Sequence, residues 1–383
     1  MEIYLDNAAT TRVCTEAADI AYKVMTDCYG NPSSTHTKGR DAKAYLDTAR
    51  AQIASALGCS ASEVYFKASE LIFTSCGSES DVWAITRGAE SAARRGRHII
   101  SSAVEHDAVR KTLEELESRG FEVTYLSPEK DGSVSADAVK AALREDTILV
   151  TLMMVNNETG GITDIAAIAK MLKGCGSKAL LHTDAVQGFM KVPFSAKKLG
   201  ADMISISGHK IHAPKGIGAL YIKTGVKIKP LIRGGAQEGG MRAGTEAMPQ
   251  IAAFGKAAEI AFSGMKDNCD TMASLRALAM STICADIPEA QIIGGGAPHI
   301  LSVSLPGWRS EVLMNFLEAE GIYVSRSSAC KKGGRSHVLE AMRLPAQVID
   351  GAIRVSFSRY NTEDDVLALC SALKRAHDTL AHR

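Results

Sequence analysis

Lys210 stands in Ser205-Ile206-Ser207-Gly208-His209-Lys210, where the apolar run from Met203 to Ile206 stops abruptly at small and polar residues. That pattern places the amine in a turn at the end of a strand, where it faces a ligand. Upstream by about a strand and a helix, Leu180-Leu181-His182-Thr183-Asp184 is a second apolar run ending on polar groups, with Gln187 close behind. One amine and one carboxylate, each at a strand end, suit pyridoxal phosphate: the amine forms a Schiff base and the acid keeps the pyridine nitrogen protonated.

Other residues extend that chemistry. Cys330 lies in the polar stretch Ser325 to His337 with Arg326, Lys331, Lys332 and Arg335, and of nine cysteines it alone sits in so basic a loop. Nearby cations raise a thiol's thiolate fraction and hence its reactivity. His106 follows the run His98-Ile99-Ile100 at another strand end, a position suited to proton transfer. Cys76-Gly77-Ser78 follows Leu71 to Ser75, so Gly77 and Ser78 stand at a helix N-terminus whose free amides would hold a phosphate, with Ser207 and His209 as further donors.

The elements that must position these groups alternate strand, polar turn and helix. Leu71 to Ser75, His98 to Ile100, Thr147 to Val155, Leu180 to Asp184 and Met203 to Ser207 all read as strands ending in polar residues. Helices at Glu16 to Met25 and Arg40 to Leu57 precede them, the second with an amphipathic period. The expectation is an α/β fold with a mostly parallel sheet flanked by helices, whose ligand sits beyond the carboxyl ends of the strands. A helical stretch from Pro249 to Cys284 leads to strands at Ile300 to Leu305 and Ile353 to Phe357 and a helix from Glu311 to Leu317. A chain of 383 residues suits a large domain over 15–255 and a smaller α+β domain of 1–14 with 256–383.

Composition narrows the setting. The 44 Lys and Arg against 43 Asp and Glu leave a formal charge of +1, which gives no bulk attraction to nucleic acid or anionic lipid. No apolar run reaches membrane-spanning length, and Met1 to Asp6 does not read as a signal peptide. The cysteines show neither CxxC nor a Cys/His metal spacing, so a reducing, cytoplasmic setting without a metal site is expected.

The segments around Asp184 and Lys210, with Ser327-Ser328-Ala329-Cys330, resemble group I cysteine desulfurases, in the class V aminotransferase branch of fold-type I pyridoxal phosphate enzymes. The opening Tyr4-Leu5-Asp6-Asn7-Ala8-Ala9, together with His36 and Arg40, is similar to the same family. The resemblance implies a homodimer that converts L-cysteine to L-alanine and stores the sulfur on Cys330 as a persulfide for an acceptor protein. It implies that Lys210 is the Schiff-base lysine and moves the substrate's α-proton, and that Asp184 pairs with the pyridine nitrogen. Gln187 would bond the phenolic oxygen, Asn157 would lie between that oxygen and the substrate, and His106 would stack on the ring. Arg354 would grip the substrate carboxylate. The glycine-rich run Arg233 to Thr245, on composition alone a connector, would reach the neighbouring subunit so that Thr245 touches the partner's cofactor phosphate.

Four departures stand out, the first a pair in the phosphate loop and its helix. Cys76 replaces the family's usual glycine or alanine, and Val82 its usual asparagine. Ser62-Glu63-Val64-Tyr65-Phe66 is nearly repeated as Ser69-Glu70-Leu71-Ile72-Phe73 beside the same phosphate loop. The Cys330 loop is about two residues shorter than in many members, and each residue adds about 3.5 Å of reach. The sequence ends at Arg383 without the tail that some members use to dock an iron–sulfur scaffold. An aminotransferase or selenocysteine lyase of the same fold, and a catalytically impaired relative acting as a binding partner, are the rival readings.

Overall fold

A computed structural model of the chain describes residues 2–58, 70–326 and 334–380. Cys330 and the first copy of the repeated segment lie outside the described residues. Strand β1 (Ile3–Tyr4) opens the chain, and helices α1 (Thr15–Thr26) and α2 (Thr37–Ala56) follow. Helix α2 begins ahead of Arg40 because His36 caps it, its ring accepting the Gly39 amide at 3.3 Å. His36 is thereby occupied at a helix end.

The strand–turn–helix alternation closes into one seven-stranded sheet. Its strands are β2 (Leu71–Thr74), β3 (His98–Ser102), β4 (Glu122–Leu126), β5 (Thr147–Met153), β6 (Leu180–Asp184), β7 (Met203–Ser207) and β8 (Gly218–Ile222), in the order β2-β8-β7-β6-β5-β3-β4. Strand β8 is antiparallel to both its neighbours, so the other six run one way. Every residue of β5 is buried, as its near-continuous apolar run requires of a strand covered on both faces.

Helices α3 (Gly77–Ala92), α4 (Asp107–Ser118), α5 (Ala136–Ala142), α6 (Ile165–Gly174) and α7 (Ala196–Leu199) connect the strands. On one face Trp83, Ile85, Val109 and Leu113 of α3 and α4 pack with Ile99 and Leu149. On the other, Leu46 and Ile53 of α2 share a core with Ile204, Ile206 and Phe254.

The expected single helical stretch from Pro249 to Cys284 is two helices, α8 (Met248–Ser263) and α9 (Met265–Asp286), because the chain turns at Gly264. Residue 255 lies inside α8, and Phe254, Ala257, Ala258 and Ala261 all join the core beneath α2. Met272, Leu275, Ala279 and Ile283 of α9 join a different core.

That second core belongs to a smaller unit. Strands β9 (Gln291–Ile293), β10 (Ile300–Ser304), β11 (Ile322–Tyr323), β12 (Ser325–Arg326) and β13 (Ala352–Ser356) form an antiparallel sheet, β12-β13-β10-β9, and a parallel ribbon of β1 with β11. Helices α10 (Ser310–Ala319), α11 (His337–Ala341), α12 (Ala346–Asp350) and α13 (Glu363–Thr379) accompany them, the last begun by a capping box of Thr362 and Asp365. No helix among the described residues is long and apolar enough to cross a membrane.

The glycine-rich segment after β8 is irregular but tied down. Glu238 (φ 48°) accepts from Arg50 Nη2 at 2.7 Å, Arg50 Nη1 at 3.0 Å and the Phe73 amide at 2.9 Å. The side chains are 10% and 3% exposed, so each charge depends on the other. Glu238→Ala, which strands the Arg50 guanidinium, is expected to cost about 3–5 kcal/mol, seen as a lowered urea midpoint, with Glu238→Gln falling between.

Candidate active site

The carboxyl ends of the parallel strands meet around a cavity of about 360 Å³. Strand β6 ends on Asp184, β7 runs through Ser207 into a single 3₁₀ turn (Gly208–Lys210), β2 leads to Gly77, β3 to His106 and β5 to Asn157. Gly77, Ser78, His106, Asn157, Asp184, Gln187, Ser207, His209, Lys210 and Arg354 all line this one space. Thr245 is exposed and is not among the lining residues, and Cys330 lies outside the described residues.

The amine of Lys210 donates to the carbonyls of Ala8 and Ala9, both at 2.7 Å. Burial first and then the charge of Arg354 lower its pKa to about 8, against the pull of Asp6 and Asp184. It therefore gives up its proton far more readily than a surface lysine. Asp184 accepts the Val186 amide at 2.9 Å; burial raises its pKa, while His106, that amide and Lys210 favour its charge. One turn into α3, Asp81 is pushed well above the carboxylate range by burial and by the charge of Asp184. Of the two buried acids Asp81 holds the proton, which leaves Asp184 free to carry a negative charge.

Gly77 forms a close-packed part of the cavity wall. A Cβ on Gly77 would lie 2.7 Å from Val186 Cγ2 and 3.4 Å from Ser207 Cβ. The hydroxyl of Ser207 is buried without a hydrogen-bond partner among the described residues. Cys76 is the N-cap of α3 with extended backbone and makes no side-chain cap bond. Free helix amides, an unpartnered hydroxyl and a gap admitting only a glycine make an anion cradle. Val82 is not among the lining residues, so that departure bears on the helix and not on the cavity wall.

Several partners escaped the sequence reading. The Gln187 amide donates to Ala8 O at 2.8 Å while its carbonyl meets His299 Nε2 at 3.2 Å, and burial keeps that histidine neutral. Arg354 sends Nη1 to Asn157 O and Nη2 to Asp6 Oδ1, each at 2.8 Å. His106 caps α4 by accepting the Ala108 amide at 3.2 Å, and His209 meets Thr10 Oγ1 at 3.2 Å. Beyond the Cys330 segment the chain returns to the cavity: Ser336 hydrogen-bonds Glu158, and His337 Nε2 meets Glu105 O at 3.1 Å. Burial lifts Glu158 to about 7 and Glu105 to about 8. Asp81 alone had a sequence signal, standing four residues after Gly77 on one helix face.

A family model for class V aminotransferases matches residues 3–369. The chain belongs to this family. It is 42% identical over 369 residues to a cysteine desulfurase IscS of Methanosarcina thermophila, covering 95% of this chain and 89% of that one. A solved structure described as a NifS-like protein superposes with a TM-score of 0.92 at 38% identity, covering 99% of this chain and all of the other. SspA in complex with cysteine superposes at 0.78 and 31% identity, over 94% of this chain and all of that one.

The class V family works with pyridoxal 5'-phosphate. The cavity suits it: the unpartnered Ser207 hydroxyl and the Gly77 gap answer a phosphate, Asp184 a protonated ring nitrogen, and Lys210 an aldehyde carbon. When bound, the cofactor supplies an electron sink for the substrate's α-carbon.

Gly77→Val is expected to weaken cofactor binding about tenfold or more through overpacking, read as visible absorbance retained after gel filtration. Glu105 gives a pH signature. Its folded pKa of about 8 exceeds the ordinary 4.5, so between those values the folded protein binds more protons than the unfolded chain and stability falls as pH rises. Glu105→Gln, which keeps the acceptor for Ser102 and Met153, should abolish that slope. It should gain on the order of 3–5 kcal/mol over wild type above pH 8 and nothing below pH 4, measured by urea unfolding across pH.

Proposed function

We propose that this chain is a pyridoxal phosphate-dependent cysteine desulfurase that converts L-cysteine to L-alanine and leaves the sulfur on Cys330 as a persulfide. The observation that carries the reading is a single cavity walled by the Lys210 amine, the Asp184 acid and the Arg354 guanidinium, to which the chain returns at Ser336 and His337 just after Cys330. The names of the relatives point the same way, as does the cysteine in the SspA structure.

Arg354, already held by Asp6, presents its guanidinium to the substrate carboxylate, with Asn157 beside it. Lys210, with its lowered proton affinity, takes the proton from the substrate α-carbon and later returns one. His106, at the edge of the cavity, moves protons between substrate and solvent. The Cys330 thiolate attacks the substrate sulfur: an S–S bond forms, the carbon–sulfur bond breaks, and its electron pair stays with the carbon skeleton, which takes up a proton to become alanine. The balance is L-cysteine plus Cys330 thiol giving L-alanine plus Cys330 persulfide.

The same proposal includes a homodimer in which Thr245 serves the partner's site, and a cytoplasmic setting. It also includes delivery to a sulfur-acceptor protein for iron–sulfur assembly or thiolation of RNA or cofactors. The division into a cofactor-binding body and a smaller body carrying Cys330 belongs here too; because residue 255 falls inside α8, the break expected there moves to Gly264, giving bodies of 15–264 and of 1–14 with 265–383.

Cofactor-loaded protein supplied with L-cysteine and a reductant is expected to release alanine continuously. Cys330→Ala should slow that release by about two orders of magnitude. Full release in the variant would favour a lyase that needs no persulfide; none from the loaded wild type would overturn the reading.

A further inference from the structure

Lys210 also walls a second, smaller cavity of about 30 Å³, together with Thr11, Lys191, His212, Asn268 and Arg359. Lys191 is only 6% exposed, and its Nζ has no hydrogen-bond partner among the described residues. An ammonium so placed requires a negative partner or loses its proton. No Asp or Glu stands among the residues lining this cavity. Burial, with the charges of Lys210 and Arg354, lowers the Lys191 pKa to about 7, so an anion arriving at neutral pH meets an amine poised to take up a proton.

The backbone around it is unusual. Met190 (φ 59°) and His212 (φ 70°) are two of the four described non-glycine residues in the left-handed region, and both line this cavity. Such conformations persist where surrounding structure demands them, and they gather at binding sites. His212 is kept neutral by burial and meets Arg12 O through Nδ1 at 2.9 Å, so it adds no competing charge. The space is about twice the roughly 10–15 Å³ that one water needs, enough for one small ion.

We propose that this cavity binds a single monovalent anion of halide size, held by the Lys191 ammonium with Asn268 and Arg359 as neighbouring donors. The site is separate from the desulfuration proposed above, and its test does not read alanine release. It places a negative charge behind the lysine that serves the main cavity.

Crystals of the cofactor-loaded protein soaked in sodium bromide should show an anomalous peak within hydrogen-bonding distance of Lys191 Nζ. In solution at fixed ionic strength, replacing gluconate by chloride should raise the unfolding midpoint of the wild type by about 1–3 °C and leave Lys191→Met unmoved. A cavity that holds water but no bromide, or a chloride response that the variant retains, overturns the proposal. Should the variant not fold, the bromide peak in the wild type decides alone.

Discussion

The segment Leu5–Thr11 is the contact on which the site depends. Its carbonyls at Ala8 and Ala9 hold the Lys210 amine, and Ala8 O also receives the Gln187 amide. Its Asp6 carboxylate holds Arg354, and its Asn7 side chain donates to Ser356 O at 2.9 Å. Thr11 donates to His209 O from both its amide and its hydroxyl. One short stretch, which turns at residues 7–9, therefore links the turn after β7 to strand β13 of the smaller sheet. The segment itself contributes backbone groups and short side chains, so most of the rotamer entropy lost in the link is that of Lys210, Gln187 and Arg354.

That clasp is needed because the cavity gathers charge where water is scarce. Lys210, Arg354, Asp184, Asp81, Glu105 and Glu158 all face or adjoin one space. Burial pushes each acid towards neutrality and each amine the same way. The arrangement divides the consequences: Asp81 and Glu105 hold their protons, Arg354 is paired with Asp6 at 2.8 Å, and burial lowers the Lys210 pKa to about 8. A site built for proton movement has this pattern of buried groups driven apart in affinity.

Lys210 and Asp184 were legible in the sequence because each closes an apolar run at a strand end, and the parallel sheet followed from the same alternation. The helix break at Gly264 was not, since a lone glycine inside a helical pattern is often tolerated. His36, part of the family-like pattern, serves as a helix cap. His299, Lys191 and Glu105 carry no local signal: their meaning comes from partners far along the chain, as with His299 against Gln187. The two departures beside Gly77 divide. Cys76 lines the cavity, whereas Val82 does not.

The pairing of β1 with β11, and of Asn7 with Ser356, also fixes when the site can exist. During synthesis the large sheet has all its strands once Ile222 has emerged, and it can collapse on its own local crossovers. Lys210, however, takes its carbonyl partners from a segment that is anchored not only at Gln187 and His209 but also on β11 and β13, beyond residue 320. Those are among the most distant contacts in the chain, and closing them comes late. A ribosome-bound chain therefore carries a nearly finished sheet with its cofactor cleft still unlatched, and cofactor capture belongs to the last moments of folding.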